Sequence, residues 1–117
     1  MNLADAQKTA VRIKKLYEEL ERQVSGKNWS RGDIARGMVG DIGAAMKLMM
    51  AEDGLRLIDD SKNKLVHEMG DLIWTMLVLC DKYDIDAQDA FDQMVKELEE
   101  RIAKQVKGDL ETGFSKH

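Results

Sequence analysis

The segment LIWTMLVLC, Leu72 to Cys80, limits the fold more than any other part of the chain, because Thr75 is its one polar residue. It lies inside a longer stretch, about Ser61 to Tyr83, that reads as a helix. A helix that is apolar nearly all round has no face to give to water and must be enclosed. At nine residues the run falls well short of the roughly 20 that a membrane-spanning helix needs. It is therefore the centre of a packed core. The chain has no proline and only 5% aromatic residues, which disfavours a strand-and-turn architecture. Helices must do the enclosing. With 117 residues there is room for one domain, 1–117, and one core.

Three further helices are expected. In the first, about 3–24, Ala6, Ala10, Ile13, Leu16, Tyr17 and Leu20 recur at helical spacing between charged residues. SGKNWS ends it. The second, about 31–51, opens with Ser30 and Asp33, an aspartate version of the capping box. Ile34, Met38, Ile42, Ala45 and Leu48 or Met49 continue its apolar face, and Gly54 supplies a C-terminal stop. After the third helix, 61–83, Asp86 and Asp89 are placed to cap a fourth, 86–107, striped by Ala87, Phe91, Met94, Leu98 and Ile102. The tail 108–117 reads as loosely ordered. The expected fold class is all-α, an antiparallel four-helix bundle. Three short helices are too few to enclose the Leu72–Cys80 run, so a homodimer or homotetramer is expected.

Several function classes find no support. The net charge is −4 with no basic block, so neither nucleic acid nor an anionic membrane is an evident partner. Cys80 is the only cysteine; it has no intramolecular disulfide partner and reads as a buried free thiol. With two histidines and one cysteine, a Cys/His zinc site is not available. The N-terminus lacks the basic then apolar layout of a secretory signal, and a soluble cytoplasmic protein is expected.

The carboxylates are more informative. Glu68 and Asp71 stand three residues apart at the entrance to the apolar run, which puts them on one side of a helix. Asp41 is the one acid in the middle of the second helix. Buried carboxylates are costly unless they are paired or bind a cation. Asp41, Glu68 and Asp71 would offer hard oxygen ligands suited to Mg²⁺, which keeps several waters and gains ligands from substrate phosphates. Gly37, Gly40 and Gly43 interrupt the same second helix. Each costs roughly 1 kcal/mol relative to alanine, so close helix packing or a ligand near the backbone is implied.

VGDIGAAMKL followed by HEMGDLIWTMLVLCDKYDID resembles, over about residues 30–100, the MazG-like all-α nucleoside triphosphate pyrophosphatases, which include dimeric dUTPases and dCTP pyrophosphatases. The resemblance implies Mg²⁺-dependent hydrolysis of a nucleoside triphosphate to monophosphate and pyrophosphate, with Mn²⁺ able to substitute. It implies Asp41, Glu68 and Asp71 as metal ligands and Glu68 and Asp71 as the catalytic pair. It suggests Trp29, Lys64, Lys96 and Arg101 for the substrate, Trp29 stacking on the base; a hydrophobic staple is the alternative for Trp29. Two departures stand out. Ala44 occupies a position where the family pattern has an acid, and the last helix carries Glu97, Glu99 and Glu100 where basic or amide groups are expected. They motivate an alternative reading, a catalytically degenerate nucleotide-binding or interaction module on the same fold.

Overall fold

A computed structural model describes residues 1–112. Four helices follow in order: α1 (Leu3–Val24), α2 (Arg31–Glu52), α3 (Ser61–Lys82) and α4 (Ala87–Thr112). Three of the four starts are set by side-chain caps; Asp60, before α3, makes none. Asn2 accepts from the Asp5 N–H at 2.9 Å. Ser30 Oγ accepts from the Asp33 N–H at 3.1 Å while Asp33 accepts from the Ser30 N–H at 3.0 Å, so the expected capping box is formed in both directions. Asp86 accepts from the Asp89 N–H at 2.9 Å. Beyond α2, Gly54 takes a φ of +78°, the left-handed conformation that glycine reaches without strain.

Three of the helices end within a residue of the expected boundary; α4 does not. It continues through Thr112, into the stretch read as a loose tail. Gly108 is the only breaker there, and about 1 kcal/mol of lost propensity does not stop a helix that has no proline. Residues 113–117 of that tail lie outside the described residues.

α2 and α3 lie side by side and antiparallel, with Asp41 across from Asp71 and Leu48 across from Lys64. α1 crosses the C-terminal half of α3, and α4 touches α1 and α3 but not α2. Ala10, Ile34, Leu77, Val78 and Ala87 form the core. Polar pins fix the crossing. The Trp74 indole N–H donates to the Ala10 carbonyl at 3.3 Å. Glutamine side chains meet the free N–H groups at two helix starts: Gln7 accepts from Ala87 at 2.8 Å and Gln88 from Leu3 at 3.0 Å. Arg31 lies 4.0 Å over the Tyr83 ring and donates to the Lys82 carbonyl at 3.2 Å, which ties the start of α2 to the end of α3.

The single chain is far from compact. Its radius of gyration is 19.3 Å, against about 13 Å for a compact domain of this length. It exposes 8962 Å², where a compact monomer of this mass exposes roughly 6,400 Å². The apolar run of α3 is not enclosed within one chain: Ile73 is 59% and Met76 49% exposed. The α1 stripe also departs from expectation. Ala10 is buried, but Leu16 and Leu20 are exposed and Lys14 is buried instead. Once past its crossing with α3, the Leu16–Leu20 side of α1 meets no other helix among the described residues. Cys80 is half-buried with a free thiol. No described helix is long and apolar enough to cross a membrane.

Candidate functional site

A cleft of about 380 Å³ opens where α1, the start of α2 and the middle of α3 meet. Asp41 from α2 and Asp71 from α3 line it together. The opposing walls are aromatic. Tyr17 and Trp74 stand 5.7 Å apart at 50°, a tilted contact of the favourable kind, and Trp29 forms another side. A Cβ added at Gly37 would meet the Trp29 ring at 3.0 Å. Gly37 therefore leaves room for the indole to lie against α2, a close side-chain approach that explains one of the three glycines. Nothing lies within 4 Å of a Cβ added at Gly40 or Gly43.

The floor of the cleft carries an unusual cation. Lys14 is buried and pairs with Glu21 at 3.5 Å. Glu21 is itself held by Asn28, whose amide donates at 3.2 Å, and by the Trp29 N–H at 3.4 Å. The Asn28 amide first, then the Lys14 charge and the Trp29 N–H, hold the Glu21 carboxyl below its ordinary range, although burial, second in weight to Asn28, opposes them. The sequence reading missed both residues. Lys14 sits in a run of two lysines that looks like a solvent face, and only the angle at which α1 crosses α3 turns it inward.

Glu68 lies elsewhere. It lines a second cleft of about 450 Å³ with Leu48, Asp60, Asn63, Lys64 and His67. Three residues along a helix is a rotation of about 60°, and Glu68 and Asp71 line different clefts although they are one turn apart. Among the described residues, no three His, Cys, Asp or Glu side chains gather closely enough to hold an ion. The structure thus brings Asp41 and Asp71 together, sets Glu68 beside Lys64 in the neighbouring cleft, and places Trp29 with the aspartates. Lys96 and Arg101 are on the exposed surface of α4 and line neither cleft. Ala44 is half-buried on α2 and offers no ligand.

The model of the MazG nucleotide pyrophosphohydrolase domain matches residues 45–106, more than half of the chain. The chain belongs to this family. No curated protein and no solved structure matches it. The MazG match takes in Glu68 and Asp71, while Asp41, Trp29 and Lys14 precede it.

A divalent cation would suit the donors present in kind. All three candidate carboxylates are hard oxygen ligands, and Glu68 Oε2 is buried without a hydrogen-bond partner. An orphaned buried carboxylate oxygen is what a bound cation would satisfy. The donors meet a hard cation in chemistry, with two of the three facing one cleft.

Proposed function

We propose that the protein is a Mg²⁺-dependent nucleoside triphosphate pyrophosphohydrolase, releasing a nucleoside monophosphate and pyrophosphate. The observation that carries this reading is the pairing of Asp41 and Asp71, from facing helices, in a cleft whose other walls are aromatic. Family membership gives the reaction class; the cleft combines two carboxylates with aromatic side chains.

Asp41 and Asp71 would hold the ion from their shared cleft, and Glu68, one helical turn before Asp71, would have to turn its carboxylate into that cleft to join them; Mn²⁺ would be able to replace Mg²⁺. When bound, the ion would offset the charge of the triphosphate and of the departing pyrophosphate. The remaining work falls to the chain. Trp29 and Tyr17 bind the base by stacking, which is tolerant of base identity. A carboxylate oxygen of Glu68 or Asp71 accepts a hydrogen bond from the attacking water, orients it toward the α-phosphorus and takes its proton. Lys64, beside Glu68 in the second cleft, offers an ammonium to a phosphate.

The assembly we propose is a homodimer, in which the outer face of α2 and α3 is covered by a second copy. Val39, Ile42 and Met46 on α2 and Met69, Ile73 and Met76 on α3 are all exposed. The excess of roughly 2,500 Å² over a compact monomer matches what an obligate interface covers per partner.

The test is pyrophosphate release from a panel of common ribo- and deoxyribonucleoside triphosphates with and without Mg²⁺. Turnover is expected with the metal, and Asp71→Ala is expected to abolish it. Absence of turnover on the whole panel would overturn the proposal. That result would favour the second reading, a nucleotide-binding module without catalysis, which the missing carboxylate at Ala44 supports.

A further inference from the structure

We infer that Lys14 reads the nucleobase, and that the cleft prefers bases carrying a ring carbonyl over adenine. This rests on the pyrophosphohydrolase reading above and concerns the aromatic end of the same cleft.

Lysine is almost never fully buried unless it is paired, yet Lys14 is only 7% exposed. Its partner among the described residues is Glu21 at 3.5 Å, longer than a good hydrogen bond. Glu21 is not free to close that gap, because Asn28 and the Trp29 N–H hold its other oxygen. An ammonium has three N–H donors and no acceptor. Lys14 therefore lines the cleft with donor capacity that no other described residue takes up.

The surroundings decide what would use it. Tyr17, Trp29 and Trp74 line the cleft, and aromatic stacking grips any base and distinguishes none. Discrimination must come from a polar group among them, and Lys14 is the cleft's only lysine or arginine. A phosphate is a poor fit for this lysine. Its charge is already offset by Glu21, and Lys14 (+1) with Glu21, Asp41 and Asp71 (−3) leaves the cleft at a formal −2. A neutral base with a carbonyl oxygen suits an ion pair of this kind. The oxygen accepts from Lys14, and the ring N–H beside it, as in guanine, hypoxanthine or uracil, donates to Glu21. Held in that register, adenine would set its amino donor against the Lys14 ammonium and its N1 acceptor against the Glu21 carboxylate.

Inosine and adenosine triphosphates isolate this difference, since they differ only at purine C6 and the adjacent ring nitrogen. With the full chain and Mg²⁺, kcat/KM is expected to favour the inosine substrate by about tenfold or more, the scale of one buried donor left unpaired. Lys14→Met, which keeps the aliphatic stem, is expected to bring the ratio within about threefold, mainly by raising KM for inosine triphosphate with kcat little changed. Lys14→Arg, which keeps the donors, is expected to retain the preference. Quenching of Trp29 and Trp74 fluorescence gives the same comparison as binding. Equal kcat/KM for the two substrates in the wild type, or a preference that survives Lys14→Met, overturns the role of Lys14 and leaves the pyrophosphohydrolase reading intact. No pyrophosphate release from any triphosphate overturns both.

Discussion

Glu68→Gln separates a structural carboxylate from one kept for a ligand, because the two roles predict opposite signs. Glu68 Oε2 is buried and has no hydrogen-bond partner. A buried polar atom left in that state costs about 1–3 kcal/mol, and more when it is charged. The amide removes the charge and keeps the shape, so the metal-free variant is expected to gain about 1 kcal/mol, or roughly 4 °C in Tm for a chain of this size. With Mg²⁺ the order should reverse. A ligand at ten times its Kd stabilises the native state by about 1.4 kcal/mol, so the wild type is expected to rise by roughly 5 °C while the variant stays put. Differential scanning fluorimetry at fixed protein concentration, with EDTA and then with Mg²⁺, reads both signs. A variant that melts below the wild type in EDTA and still rises with Mg²⁺ would refute the assignment of Glu68 to an ion.

Ala44→Glu restores a carboxylate on α2 and is expected to raise pyrophosphate release by at least about tenfold if one missing charge limits the reaction; an unchanged rate would favour the non-catalytic reading. Ile73→Glu, on the exposed α3 face, is expected to convert the proposed dimer to monomer in sedimentation equilibrium at micromolar protein, and a wild type that sediments as a monomer would remove the basis for that interface. The Asp33 carboxyl is held below its ordinary range by the Ser30 backbone N–H first, then by Arg36 and the Ser30 hydroxyl. A depressed folded-state pKa contributes stability that is present above the ordinary aspartate range and lost as the pH falls through the lowered value. Asp33→Asn is therefore expected to be less stable than wild type at neutral pH and to converge with it in acid, as measured by urea unfolding at several pH values.

Much of the helical layout was legible because its punctuation is local. The Ser30–Asp33 box, the left-handed Gly54 and the Asp86 cap each act within a few residues of the boundary they set. The end of α4 was not legible, since Gly108 weakens a helix without forbidding it. The site was legible only in part. Asp41 and Asp71 could be paired from the family pattern. Glu68 and Asp71 line different clefts although they are one turn apart, and a spacing of three residues does not say which cleft each will line. Lys14 was hidden because its burial comes from the crossing of α1 over α3. Its neighbours in sequence, Ile13 and Leu16, look like better core residues, yet Leu16 is left outside.

The outer face of α2 and α3 is rich in sulfur. Met46, Met49 and Met50 on one helix and Met69 and Met76 on the other are all open to solvent in a lone chain. Thioethers adapt their shape well against a second surface, but peroxide turns them into polar sulfoxides. If the proposed homodimer forms, a newly made subunit would thus be open to oxidants until it finds its twin. Once oxidised there, it would lose the greasy contact that pairing requires, so exposure to peroxide before assembly should do more harm than the same exposure afterwards.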